Sequence, residues 1–569
     1  MLTAPPERIL VNHVTVYPAR LVRTMDRSRP TAEAVAIEGD RFRAVGSVAE
    51  LMAYPGAVLD EHYADSVLLP GFVEAHSHAG SGNVWSSTYI GLLDRVDPEG
   101  RRWPGCRSID EVLDRLATAE AELTDPDTVL TAWGFDPIYF PGQPLGSEQL
   151  DRVSPTRPIH VSHTNGHVCS VNSGVLLRFR IDESTTVRGV VKNEDGKPTG
   201  ELQEFAAMGL VNELVEGKGL LNIDAEALRR FAQEGVNTGT TTLTDLGSNL
   251  LMDDDGVELY RSSIDADFPA RLNVFHFGAG IGPVARSLPD AAQRLIELRG
   301  RSTEKLRFGN VKLMLDGSIQ GFTARLLSPG YLGGEPNGIW NVTPEEFREA
   351  FDEFHRAGLL VHVHCNGDQA TQLFLETVES ILTAAPRPDH RHTCTHSQMT
   401  TAAQYRRMAA LGVCANIFAN HIWAWGDQHI EMTVGSDRAA HMNAAATAMN
   451  HGVPISLHSD TPVTPLGPLR AVKHATTRRT VSGRVMGENE KISVQQALEA
   501  VTVGGAYMLK MDHEVGSIEA GKFADMAVLA EDPLAVEAEE VGNIHVLGTV
   551  LGGRYHPTTI APVGEGRTV

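Results

Sequence analysis

The stretch LLPGFVEAHSH at positions 68–78 decides how the chain is read. A short apolar run passes directly into His76 and His78, one residue apart, which is the form of a buried β-strand carrying polar groups at its C-terminal end. Seven later segments have the same texture: TTTLTDLG (240–247), ARLNVFHFG (270–278), NVKLMLDGS (310–318), LLVHVHCNGD (359–368), HRHTCTHSQ (390–398), GVCANIF (412–418) and VPISLHSDTP (453–462). Helical patterns fall between them, and alternation of short apolar strands with helices implies a parallel α/β architecture. Eight strands is the number required by a closed (β/α)8 barrel of the TIM type.

The intervening helices carry start signals. In Val342-Thr343-Pro344-Glu345-Glu346, Thr343 is placed as N-cap, Pro344 at the first helical position and Glu346 as the partner of a capping box. FREAFDEFHRAG then keeps helical apolar spacing up to Gly358, and DAEALRRFAQEG behaves alike. Strands one and two are separated by roughly 160 residues, far more than a βα loop needs, so an inserted domain is expected at 85–222. Both ends of the chain read as short strands with turns, ILVNHVTVY and AEAVAIEGDRFRAVGS at the start, GSIEAGKFADMAVLAED and IHVLGTVLGGR near the finish. Segments from opposite ends can complete one sheet, because domain termini often lie close together.

Composition narrows the function. The 569 residues include 49 Lys+Arg against 72 Asp+Glu, a net charge of −23, with 42% hydrophobic and 21% charged residues. Scattered basic residues and an acidic balance argue against nucleic-acid binding, which needs clustered Lys/Arg. No apolar run approaches a membrane span, and the start lacks a signal-peptide pattern, so a cytoplasmic protein with no membrane partner is expected. Five cysteines, widely spaced and without a CxxC pair, fit reduced thiols.

In a barrel of this kind, reactive groups belong at the C-terminal ends of the strands. His76 and His78 end the first, Lys312 lies in the fourth, His362 and His364 in the fifth, His396 in the sixth and Asp460 in the eighth. Residues i and i+2 of a strand face the same way, so His76 and His78 can grip one ion, with zinc suited to imidazole nitrogen. An H-x-H pair alone also fits two histidines hydrogen-bonded at a rim, and Lys312 alone fits a snorkelling or ion-paired lysine. As a set they are more telling: an ammonium inside an apolar strand is costly unless it meets an acid or is chemically altered.

These residues resemble the amidohydrolase superfamily. The likeness is carried by PGFVEAHSH, VKLMLDGS, HCNGD, the later His396 and SDTPV, and further by DGSIQGFTARL (316–326), NGHVCSVNS (165–173), PTGELQE (198–204), ALEAVTVGGAYML and GSIEAGKFADMAVL. Within the superfamily the chain is most similar to amidohydrolase family 3, which includes N-substituted formamide deformylases and YtcJ-like hydrolases. The resemblance implies a (β/α)8 barrel over 68–510 with the insertion at 85–222, and a composite β-sandwich from 1–67 and 511–569. It implies that His76, His78 and Asp460 hold one divalent metal, zinc by preference, that His364 and His396 hold a second, and that Lys312, carboxylated by CO2, bridges them; one ion or two stays open. Zinc can bring the pKa of water down to about 7, which supplies hydroxide at neutral pH to attack a carbonyl. Asp460 would take the water's proton and pass it to the leaving nitrogen, or would serve as a ligand only.

Asp316 and Asp368 are expected to orient ligands or turns around them, and His362 to be structural. The insertion contributes Trp133, Phe135, Tyr139 and Phe140, and the region after strand seven Phe418, Trp423 and Trp425. Singly these fit core packing; together they can wall an apolar pocket, with Trp133, Phe418 and Trp423 as substrate contacts. His167, in a motif shared with the family, is expected to reach the substrate carbonyl. The reading is a hydrolase that cleaves a linear C–N bond of a small, hydrophobic or aromatic N-substituted formamide or amide. Cyclic amide or urea hydrolysis uses the same ligands; a nucleobase deaminase would lack the strand-four lysine; a regulatory relative without catalysis would lack ligands. Size and resemblance together suggest a homodimer.

Overall fold

The structure, a computed structural model, describes residues 13–164, 166–215, 223–278 and 287–561, without the side chain at 205. Position 165 of the NGH motif therefore lies outside the described residues, as do 1–12, 216–222, 279–286 and 562–569 of the expected domain ranges.

Eight parallel strands form one sheet in sequence order: Phe72–Val73, Thr240–Ser248, Arg271–Phe277, Leu306–Met314, Leu360–Cys365, Thr393–His396, Cys414–Ile417 and Ile455–Leu457. These are called strands one to eight. Six of the eight expected segments hold a strand of three to nine residues well inside the quoted bounds or close to them, and strand four begins earlier, at Leu306. Beyond the ladders, the first and last strands are drawn together by two hydrogen bonds, Asp460 N–H to His76 O at 3.3 Å and His78 N–H to Thr461 O at 3.1 Å.

The segment 68–78 departs from its reading as one strand. Val67–Pro70 pairs antiparallel with Met526–Leu529 in a different sheet, and only Phe72–Val73 joins the parallel one. The switch happens at Gly71, where a Cβ would stand 1.9 Å from Thr241 Oγ1, so only glycine lets the backbone pass. His76 and His78 consequently sit on the turn that follows strand one rather than within it.

The second sheet mixes both chain ends. Its order is Arg554–Pro557, Val546–Leu551, Met526–Leu529, Val67–Pro70, Thr15–Arg23, Thr31–Glu38, Arg41–Gly46. A buried ion pair ties it to the parallel sheet: Arg271 Nε and Nη2 meet Asp525 Oδ2 and Oδ1 at 2.6 and 3.0 Å, with the guanidinium 3.6 Å from the Phe523 ring centre.

A third sheet lies between strands one and two in sequence. It runs Val190–Lys192, Pro198–Gln203, Val168–Val171, Ile159–His163, Leu130–Phe135, Thr88–Tyr89, over its own apolar cluster of Ile109, Val112, Leu116, Phe135 and Ile159. The helix Pro344–Arg356 starts as its sequence implies, with the Glu346 N–H donating to Thr343 Oγ1 at 3.2 Å and the Thr343 N–H to Glu346 Oε2 at 2.9 Å. All five cysteines are buried and free. Among the described residues, no helix is long and apolar enough to cross a membrane.

Candidate metal centre

Two of the strand ends bend sharply. His396 has φ +71° and Asp460 φ +56°, left-handed conformations that a side chain adopts at a cost of about 1–3 kcal/mol and that gather at functional sites. The bend at Asp460 is held from below by Glu74. Its Oε1 accepts from the Ser459 and His76 N–H groups at 3.2 and 3.4 Å, and its Oε2 from Ser459 Oγ at 3.0 Å. Burial pushes the Glu74 carboxyl up to about 8. This one buried acid fastens the turn after strand one to the turn after strand eight.

At the mouth, His76 Nε2 and His78 Nε2 stand 3.1 and 3.2 Å from Asp460 Oδ1. His396 Nε2 lies 3.0 Å from His364 Nδ1, and His396 Nδ1 lies 3.9 Å from Asp460 Oδ2. Burial holds His76, His364 and His396 well below the usual imidazole range, so each offers a neutral nitrogen. Burial opposes charge on Asp460, yet the neighbouring His76, together with hydrogen bonds from His76 and His78, keeps its carboxyl well below the carboxylate norm. Lys312 is 3% exposed and its Nζ has no hydrogen-bond partner; burial brings its pKa down to about 8 against the opposing pull of Asp460.

This donor set fits a divalent cation. Four imidazoles and a carboxylate converge, and a buried amine without a hydrogen-bond partner stands among them. His76, His78 and Asp460 form one group whose ligand atoms lie within 4.8 Å of one another. The structure thus brings together all six residues that the sequence singled out as ligands, around a cavity of about 660 Å3 that each of them lines.

The surrounding candidates divide. Asp316 accepts from the backbone N–H groups of Asn366, Gly367 and Arg325 at 3.0, 2.8 and 2.9 Å, which fixes the turn behind His364. Asp368 lies farther out and accepts from the Leu327 N–H at 2.8 Å. His167 and Trp133 line the cavity. The His167 ring lies 6.2 Å from that of His364, with Nδ1 3.1 Å from Glu204 Oε2; burial opposes its protonation but the Glu204 carboxylate outweighs this and raises the pKa. Phe418 and Trp423, expected as substrate contacts, are not among the residues that line this cavity. Phe418 is buried against His458 at 4.7 Å, and Trp423 stacks on His474 at 5.1 Å, so both pack behind the site. His362 packs against Phe275 at 4.7 Å and is absent from the lining.

Sequence reasoning passed over His458, Asp245 and Glu74. His458 is fully buried, its ring stacked on His76 at 4.6 Å and 18°. A nitrogen of His458 also falls within 4.8 Å of donors on His76 and His396. Near-parallel rings point their in-plane lone pairs along similar directions instead of at one point, so the stack serves to fix the His76 ring. The clue was the same i, i+2 spacing in HSD that was used for HSH. Asp245 accepts from Tyr260 Oη at 2.6 Å and from the Ala79 N–H at 3.1 Å, and so anchors the chain just past His78.

With the ligand geometry established, comparison with known proteins is decisive on kinship. A family model described as the amidohydrolase family matches residues 64–555. The chain belongs to the amidohydrolase family. It is similar to the N-substituted formamide deformylase of Arthrobacter pascens, 26% identical over 94% of this chain and 97% of that protein. It is equally similar to Protein LONG AFTER FAR-RED 3 of Arabidopsis thaliana, 26% identical over 96% of this chain and 91% of that one. Among solved structures, an uncharacterized metal-dependent hydrolase from Pyrococcus horikoshii superposes with a TM-score of 0.68 at 18% identity, covering 92% of this chain and 99% of its own. That likeness speaks for the fold of this amidohydrolase.

Proposed function

We propose that this amidohydrolase is a metal-dependent hydrolase of a linear C–N bond, acting on a small N-substituted formamide or amide with a hydrophobic or aromatic substituent. Its fold on this reading is a closed (β/α)8 barrel over 68–510 carrying an insertion at 85–222, with 1–67 and 511–569 paired as a composite sandwich. His76, His78 and Asp460 would hold one divalent ion, zinc by its preference for such donors, and His364 and His396 a second site bridged by a carbamate on Lys312. A bound ion supplies Lewis acidity and water acidic enough to attack a carbonyl near neutral pH.

The remaining steps belong to the chain. Asp460 Oδ2 takes the proton of the attacking water and returns it to the amide nitrogen as the C–N bond breaks, giving a carboxylic acid and an amine. His167, its pKa raised by the Glu204 carboxylate against the effect of burial, faces the carbonyl oxygen and stabilises the charge that grows there. Glu74 and His458 hold the turns and the His76 ring in register. The observation that carries this reading is the convergence of one carboxylate, four imidazoles and a partnerless buried lysine in one cavity.

Elemental analysis of purified protein, followed by assays of N-benzylformamide, N-acyl amino acids, hydantoins and aminopyrimidines, tests it. The expected result is at least one equivalent of transition metal and release of formate from N-benzylformamide. Metal-loaded protein that opens hydantoins but leaves the formamide intact would overturn the substrate class. Protein that binds less than one equivalent and gains no activity with added zinc would overturn the enzyme reading.

A further inference from the structure

The cavity has a second polar end that the ligand set does not explain. It is built by adjacent strands of the insertion sheet, Leu130–Phe135 and Ile159–His163, in parallel register with Thr131 opposite His160 and Trp133 opposite Ser162. Residues opposite one another in paired strands share a face, and all four of these side chains line the cavity. Two atoms there are buried without a hydrogen-bond partner: Trp133 Nε1 and His160 Nδ1. Trp133 and His160 are each 4% exposed. Buried donors and acceptors are nearly always paired, so two orphans on one face of one cavity mark the place of a missing partner. Beside them Thr131 Oγ1 is satisfied, accepting from Ser87 Oγ at 2.9 Å.

We propose that this end is a recognition subsite for a neutral oxygen group, a hydroxyl in the first place, on the N-substituent of the substrate, at the end remote from the scissile bond. The inference rests on the amide-hydrolase reading above and adds the substrate's far end to it. Trp133 Nε1 can only donate, so the ligand atom must accept; a hydroxyl can accept from it and also donate to, or accept from, an imidazole Nδ1 in either tautomer. The group is neutral because the described lining offers no arginine and no lysine other than Lys312, which stands at the ligand cluster, while Glu213 borders the same cavity. A carboxylate would find no arginine or lysine of the lining at this wall to pair with, and Arg95, 5.2 Å from the Trp133 ring centre, is outside the lining and donates to Pro462 O. Burial also keeps the His160 imidazole uncharged, bringing it down to about 4. The same lining also carries apolar side chains, Val84, Val168, Met208, Leu246, Phe277 and Met314, that suit an aromatic ring. Cavities of several hundred Å3 hold ligands of this size.

The test compares three formamides on the full chain: N-benzylformamide, N-(4-hydroxybenzyl)formamide and N-(4-carboxybenzyl)formamide. Hydrolysis is followed on the metal-loaded protein, and calorimetric binding on the same chain stripped of metal. Wild type should favour the hydroxybenzyl compound over the benzyl one by about tenfold in both kcat/KM and affinity, the worth of one buried hydrogen bond, and should accept the carboxybenzyl compound least. Trp133→Phe keeps an aromatic ring in the place that packs 5.0 Å from Trp85 and 4.9 Å from Tyr89 but removes the N–H. It should abolish the preference, read as the ratio of the hydroxybenzyl to the benzyl compound in the same variant. His160→Leu should reduce the preference as well. Equal handling of benzyl and hydroxybenzyl by wild type, a preference that survives Trp133→Phe, a carboxybenzyl compound favoured over both, or no binding by any of the three would overturn the subsite. If the preference appears in binding and disappears with Trp133→Phe while no formamide is cleaved, the subsite stands and the reaction assigned under the proposed function falls.

Discussion

Replacing Lys312 by methionine should harm the site and help the fold. Methionine keeps an unbranched chain of similar length in the fourth strand and removes a buried amine that has no hydrogen-bond partner. Burial brings the Lys312 pKa from 10.5 down to about 8. At about 1.36 kcal/mol per unit, that difference corresponds to about 3 kcal/mol of folding free energy. The sign follows from the protonation states. Below pH 8 the amine is charged both folded and unfolded, and the full cost is borne; it shrinks between 8 and 10.5, and above 10.5 both states are neutral and the cost vanishes. Metal-free Lys312→Met should therefore exceed metal-free wild type by about 3 kcal/mol in denaturant unfolding at pH 7 and by little at pH 11. On reloading with metal, the variant should take up less than wild type and lose at least a hundredfold in turnover if Lys312 bridges as proposed, because a thioether cannot carry a carbamate. Full metal content and activity in the variant would refute the bridging role. A metal-free variant less stable than wild type at pH 7 would refute the claim that the amine is an uncompensated charge.

Two other perturbations probe how the insertion is joined to the site. Arg95 Nη1 donates to Pro462 O at 3.0 Å beside Asp460, while its guanidinium lies 5.2–6.0 Å from the rings of Trp85, Tyr89 and Trp133. Arg95→Ala should lower kcat about 10–100-fold with metal content intact, as misplacement of a reacting group by about 1 Å does; unchanged kcat would show that the Asp460 turn holds itself. Asp136 accepts from Trp425 Nε1 at 2.9 Å and from the Ile138 N–H at 3.2 Å, and burial pushes its carboxyl up to about 6. Its ionisation costs nothing below pH 3.8 and progressively more up to about 6, so wild type should lose about 2 kcal/mol relative to Asp136→Asn between pH 4.5 and 7.5, measured by urea unfolding; a difference that stays flat with pH would refute the assignment.

Much of the fold was legible because its strands are buried on both faces and therefore read as continuous apolar runs, from TTTLTDLG to GVCANIF. The split of 68–78 was not, because Leu68, Leu69, Phe72 and Val73 are equally buried in both sheets and only the contact of Gly71 with Thr241 forces the change of partner. In the site, the six ligand candidates are polar residues standing out against apolar strands, which made them visible. The surroundings of Phe418 and Trp423 were not legible, because an aromatic side chain looks the same in a sequence whether it faces a cavity or packs against His458 or His474. Glu74 and His458 touch nothing in sequence that hints at their partners; Glu74 meets Ser459 across 385 positions.

These silent residues explain how the fold tolerates its own centre. Asp460 and His396 adopt left-handed backbones, Lys312 is buried without a partner, and Glu74 is buried near the Asp460 carboxylate; each is unfavourable taken singly. Their position is fixed by neighbours that gain little from catalysis: the Glu74–Ser459 hydrogen bonds, the Asp316 turn, the His458 stack and the Arg95 bond to Pro462. All but Arg95 lie within the parallel sheet's own turns, whereas Arg95 comes from the insertion. The insertion therefore does two things at once, supplying the far wall of the cavity with Trp133 and His160 and pinning the turn that carries Asp460.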